Sequence, residues 1–230
     1  MRRRVGILGT VLMAAAIAGC QHTETGQPVA ASGVSSAART PTPGTKALTI
    51  RSVIEEQPVP SSPSTVPSTV PSAPVASDAD IAAAKQTRQN VGLTSDPQAR
   101  QQAFASLDCS LPDPLMGHED TNLPLVACGS GSKYVLDKAM LTGKDVADAF
   151  VGKSSDGHTP VVSLSLTDAA TSVWADFTAA NVGKQAAFVV GTSVVSAPMI
   201  QAPIPGGRVE VSGSFTEADA RDIVRRITGR

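Results

Sequence analysis

Histidines, carboxylates, serines and cysteines decide whether a chain can do chemistry. The three histidines are His22, His118 and His158. His118-Glu119-Asp120 has metal-ligand residue types. Three successive residues in a polar loop point in different directions, however, and the reading is a solvated loop. Ser154-Ser155-Asp156-Gly157-His158 has the composition of a turn rather than the separated nucleophile, base and orienting acid of a triad. Gly129-Ser130-Gly131-Ser132 has no Lys-Ser or Lys-Thr after it and reads as a loop, not a phosphate cradle. No Gly-x-Ser-x-Gly elbow or dinucleotide fingerprint occurs. The expectation is therefore a non-enzyme with no catalytic residue, no metal and no cofactor.

The three cysteines carry clearer chemistry. Met1-Arg2-Arg3-Arg4 is followed by an uncharged run from Val5 to Ala18, the layout of a secretory signal. The run is shorter than the roughly 20 residues of a comfortable membrane span. It ends Ile17-Ala18-Gly19-Cys20, and an aliphatic residue, two small residues and a cysteine at this place resemble a bacterial lipobox. That implies a thioether-linked diacylglycerol on the Cys20 thiol, carrying fatty acyl chains such as palmitate, and then cleavage before Cys20. Two or more acyl chains hold a protein stably at a membrane, where one is marginal. Cys109 and Cys128 bracket a loop with three prolines and a glycine. In an exported chain two such thiols most simply form a disulfide, and no Cys-x-x-Cys spacing favours a metal or redox pair.

Elements must position these groups, and composition divides the 230 residues unevenly. The aromatics Phe104, Tyr134, Phe150, Trp174, Phe177, Phe188 and Phe215 all follow residue 103, while nine of the 17 prolines precede Asp80. Three segments are expected: a lipoprotein signal (1–19), a lipid-anchored Pro/Ser/Thr-rich disordered linker (20–77) and a globular domain (78–230). Fully extended as polyproline, such a linker would reach roughly 180 Å. Within it, Ala47 to Ile54 is more apolar, and either a short strand or a docking segment fits. The net charge of −1 argues against a nucleic-acid partner.

In the domain, Ser77 and Asp80 predict a capping box for a helix over 78–89, and Asp96-Pro97 starts a second helix ending near Leu107. Strands are expected at 133–136, 161–167, 186–190, 193–197 and 208–212. A helix over 169–182, capped by Asp168, buries Trp174 and Phe177. Thr216 and Asp219 cap the last helix, where Glu217/Arg221 and Asp222/Arg226 are i,i+4 pairs and Gly229 is the stop. Arg221, Arg225, Arg226 and Arg230 form a basic tail, either a solvated helix face or a contact for anionic headgroups. Gly206-Gly207 predicts a tight turn with positive φ; a mobile lip over a bound peptide is the functional reading of the same pair. The fold class expected is α+β, with helices on one face of a mostly antiparallel sheet.

Leu141-Thr142-Gly143-Lys144-Asp145-Val146, Val194-Val195-Ser196-Ala197-Pro198 and Ile204-Pro205-Gly206-Gly207-Arg208 through Thr216 resemble, in order, the head subdomain of the first extracytoplasmic region of SecD. Trp174 to Ala180, Asp108-Cys109, Asp113-Pro114-Leu115, Leu123 to Val126 and Cys128 are similar to the actinobacterial form. The resemblance covers about 78–230. It implies a domain that contacts an emerging polypeptide beside the Sec translocon, in a family whose full-length members pull on that polypeptide with proton motive force. The sequence stops at the head's last helix, so the expectation is a tethered head module rather than the motor. Ser196, Pro198, Ile204, Gly206, Gly207 and Arg208 are the residues implied for polypeptide contact. The expected partners are the membrane through the lipid anchor, secreted polypeptides and translocon components, at the outer face of the cytoplasmic membrane. The alternative is a cell-envelope scaffold with a fixed protein or glycan partner.

Overall fold

The structure, a computed structural model, describes residues 47–59, 76–129, 131–154 and 157–229. The signal segment, Cys20, His22 and the Pro-rich run from Pro60 to Pro71 lie outside the described residues.

The segment expected to be linker carries the first strand. β1 spans Leu48–Pro58 and pairs on both sides, with β3 (Ser132–Thr142) and with β6 (Ala186–Val190), so of the two readings of Ala47 to Ile54 the strand is the one found, and 48–58 is not disordered linker. Leu48 and Ile50 face one hydrophobic layer while Thr49 and Arg51 face another, and all four are buried. The Arg51, Glu55 and Glu56 charges hide this strand in a composition count. Register shifts along its pairing with β3 mark bulges that bend it.

That bend helps close a barrel in the order β1-β3-β2-β7-β6, where β2 is Leu125–Gly129 and β7 is Ser193–Ser196. The single sheet expected from sequence is thus two sheets. The second is three-stranded and antiparallel, with β5 (Pro160–Leu166) between β4 (Val146–Lys153) and β8 (Arg208–Val211). The barrel's weakest join is β2 to β7, a parallel contact of two residue pairs, Cys128 with Ser193 and Gly129 with Val194. Gly129 is required there, because a Cβ would lie 2.6 Å from the Tyr134 ring.

The helices fill the layers. α1 (Asp78–Arg88) has the capping box predicted at Ser77 and Asp80, and α2 (Pro97–Ser106) is capped by Asp96. Phe104 of α2, with Leu93 and Leu107 flanking that helix, packs on Val126 and Val135, the outer side of the barrel wall. α3 (Asp168–Ala180) is capped by Thr167 rather than Asp168, whose carboxylate instead sits in the first turn. α4 (Glu217–Thr228) ends at Gly229 in the left-handed conformation. Trp174 of α3 and Ile223 and Ile227 of α4 join Val162, Leu164, Val209, Ile50 and Phe188 in the largest core, which lies between the three-stranded sheet and the barrel. A second core draws on all five barrel strands through Val53, Leu125, Leu136, Val189 and Val194, and is the barrel interior.

Cys109 and Cys128 are bonded, Cα to Cα 5.7 Å. The bridge ties the segment after α2 to β2. The loop between them is held as expected, and it drives Leu115, fully buried, into the barrel interior.

Candidate functional site

The residues read as polypeptide contacts occupy one stretch, the connection from β7 to β8 along α3. Its backbone is bonded at intervals. Pro198 C=O accepts from Ala186 N at 3.0 Å, Ile200 N donates to Lys184 O at 2.8 Å, and Gly207 C=O accepts from Leu166 N at 2.8 Å. Ile204 N donates to the buried Thr178 Oγ1 at 2.9 Å. These bonds hold the segment at Pro198, Ile200, Ile204 and Gly207. Neither Gly206 nor Gly207 has a positive φ. Gly207 is needed for close approach, since a Cβ would fall 2.2 Å from Thr171 Oγ1, whereas one at Gly206 meets nothing.

The stretch therefore presents different surfaces. Ser196 hydroxyl donates to Ser212 C=O at 2.5 Å and couples the barrel to the end of β8. Pro198, Gly206 and Arg208 are exposed, and Met199 beside Pro198 is 55 % exposed. Ile204 is half-buried against the main core and supports the loop from below. Of the basic tail, Arg221 and Arg225 lie on an exposed helix face, paired with Glu217 and, at 2.9 Å, with Asp222, while Arg226 donates to Val190 C=O and Arg230 lies outside the described residues. Arg226 was expected to pair with Asp222; the last turn brings it over β6 instead.

Charged groups that the sequence reading passed over lie in and beside the barrel. Arg51 is fully buried. It donates to Thr49 Oγ1 and to the carbonyls of Leu123 and Asp137 at 2.8 and 2.9 Å, while Nη2 has no partner. Burial holds its pKa down to about 10, against the pull of Glu119, Asp137 and Asp120. Glu119 turns one buried, unbonded carboxylate oxygen inward, and burial raises its pKa. His118 is exposed, and Asp120 accepts from Asn122 N. The three residues diverge as expected, but the loop is only partly solvated. Among the described residues no group of three or more His, Cys, Asp or Glu could hold a metal ion.

Arg88 of α1 is also buried. Its Nε donates to Val126 C=O at 2.9 Å, and its two terminal nitrogens grip Asp113 at 2.6 and 2.8 Å. Burial alone would raise the Asp113 carboxyl, but Arg88's hydrogen bonds and charge hold it below the usual range. Asp113 comes from the disulfide-closed loop, so this pair links α1, that loop and β2. One sequence signal was available for Arg51: it alternates with Leu48 and Ile50 in a short apolar run. For Arg88, at the end of a polar helix, there was none.

The family model of the SecDF P1 head subdomain matches residues 121–228. Those residues are a SecDF P1 head. The match runs from the loop before β2 to the end of α4, and so contains the three-stranded sheet and every barrel strand except β1. The protein translocase subunit SecD of Mycobacterium tuberculosis is 39% identical over 148 residues, 62% of this chain and 26% of that protein. SecD of Calditerrivibrio nitroreducens is 42% identical over 91 residues, 39% of this chain and 18% of that protein. A crystal structure of SecDF in a super-membrane-facing form covers 80% of this chain and 19% of its own, at 20% identity and a TM-score of 0.43. The chain spans about a quarter or less of these SecD relatives. Among the described residues no helix is long and apolar enough to cross a membrane.

Proposed function

We propose that this protein is a lipid-anchored accessory of protein export whose SecDF P1 head binds polypeptide outside the cytoplasmic membrane. The head match over residues 121–228 carries the reading. Acyl chains on Cys20 hold it to the membrane, and the Pro-rich stretch spaces the head from that surface. The surface from Pro198 to Arg208 is the contact region: Pro198, Gly206 and Arg208 are exposed on a backbone fixed by its bonds to β5, α3 and the start of β6. A fixed platform with exposed Met199 binds without paying the ordering entropy of a loose loop.

The test is photocrosslinking in cells from a photoreactive residue at Met199. Secreted chains or Sec translocon subunits should be captured, and a Cys20→Ala variant should lose membrane retention and incorporate no palmitate. Capture of neither secreted chains nor translocon subunits would refute the export role. Membrane retention of the Cys20→Ala variant would refute the anchor.

A further inference from the structure

The three-stranded sheet ends in two edges that differ. Leu166 N donates to Gly207 C=O, and the register sets Leu164 opposite Val209 and Val162 opposite Val211. Backbone groups alternate along a strand, so Gly207, Val209 and Val211 bond to β5, while Arg208 and Glu210 turn their N–H and C=O away from it. No hydrogen bond among the described residues uses those outward groups. Both residues are exposed. On the opposite edge, Ser154 N donates to Thr159 C=O, so Asp148, Phe150 and Gly152 of β4 face β5 and Ala149 faces out. Ala149 is nevertheless only 6% exposed, with α4 packed along β4, whereas Val151, which also faces out, is half-buried and Lys153 at the strand end is exposed. The β4 edge is thus covered in part, and the open one is β8. Its far end is marked by Ser212, whose carbonyl is already taken by Ser196.

We propose that the open edge of β8 binds an extended polypeptide segment by strand addition. This rests on the polypeptide-binding reading above and names its site and recognition chemistry. Two outward N–H and two outward C=O groups on alternate residues match another extended backbone, and neither a glycan nor a lipid repeats donors and acceptors at that spacing. Side chains set the preferred sequence. Ala149, Leu164 and Val209 form an apolar row on the core side, so the next residue in that row is apolar. The rows on either side of it end in Arg208 and Glu210 on the solvent side. An added strand antiparallel to β8, as every pairing in this sheet is, then reads basic, apolar, acidic from its N-terminus, placing opposite charges face to face.

The experiment measures fluorescence anisotropy of labelled Thr-Thr-Lys-Val-Glu-Thr-Thr with the full chain. The peptide should bind, and its charge-reversed form with Glu and Lys exchanged should bind more weakly. N-methylation of its Glu, whose amide faces β8, should abolish binding, whereas N-methylation of its Val, whose amide faces away, should leave it unchanged. Glu210→Pro deletes one outward N–H and leaves the β5 ladder whole. It should weaken binding about tenfold, with Glu210→Ala weakening it less. Equal effects of the two N-methylations, or unchanged binding by a folded Glu210→Pro, would overturn strand addition while leaving polypeptide binding elsewhere on the head. Failure of this peptide and of unfolded secreted chains alike would overturn both readings. Self-association abolished by Glu210→Pro, without peptide binding, would assign the edge to a second copy and overturn the proposal.

Discussion

Replacing Arg88 by Met tests how the barrel seam is held. β2 and β7 share two residue pairs at the Cys128–Gly129 end. Beyond them Val126 C=O is met by Arg88 Nε, and Asp113 by the guanidinium's other two nitrogens. The side chains are 5% and 18% exposed, so water reaches the carboxylate poorly, and the Leu115 N–H left at 2.8 Å satisfies only its Oδ1. Arg88→Met strands a buried carboxylate, and removing one member of a buried pair costs about 3–5 kcal/mol. That is a large part of the stability of an ordinary domain, typically about 5–15 kcal/mol. Replacing both partners, Arg88→Met with Asp113→Leu, removes the stranded charge and should recover more than half of the loss. Urea unfolding followed by Trp174 fluorescence measures this, because Trp174 is buried against Phe177 and Phe188. A single-mutant loss below about 1 kcal/mol, as for exposed ion pairs, would refute the reasoning. So would a double mutant as unstable as the sum of its singles.

Other expectations follow from the same packing. Asp113 has its carboxyl lowered in the fold, so its contribution is full above the ordinary aspartate range and is lost as pH falls through its lowered value; Asp113→Asn should flatten that acid limb of a stability-against-pH curve. Glu119 is raised by burial, so the opposite sign holds: Glu119→Gln should help most at neutral pH, and the gain should shrink as acid protonates the wild-type carboxyl. Reducing Cys109–Cys128 should lower unfolding free energy by about 3 kcal/mol, read from denaturant midpoints with and without reductant. Gly207→Ala should cost about 1–3 kcal/mol and be largely rescued by Thr171→Ala, while Gly206→Ala should be near neutral, all read as shifts in thermal midpoint.

What sequence could determine here was local. Ser77 with Asp80 and Thr216 with Asp219 form the predicted boxes because a cap needs only residues three apart. The β6–β7 hairpin turns at Gly191 with positive φ, and the Cys109–Cys128 bridge follows from two thiols bracketing one loop. Everything set by distant partners was decided only in three dimensions. For Ala47 to Ile54 a strand and a docking segment fitted equally, because the value of β1 as a strand comes from β3 and β6, more than 70 residues away. Arg51 and Arg88 were passed over because the carbonyls and carboxylate that satisfy them arrive from β2, β3 and the disulfide-closed loop. Gly206-Gly207 looked like a turn, yet its second glycine is there to let Thr171 approach. Which sheet edge stays open depended on where α4 came to rest. Short-range hydrogen bonds and side-chain periodicity are written in neighbouring residues; closure, burial and edge protection depend on which distant surfaces meet.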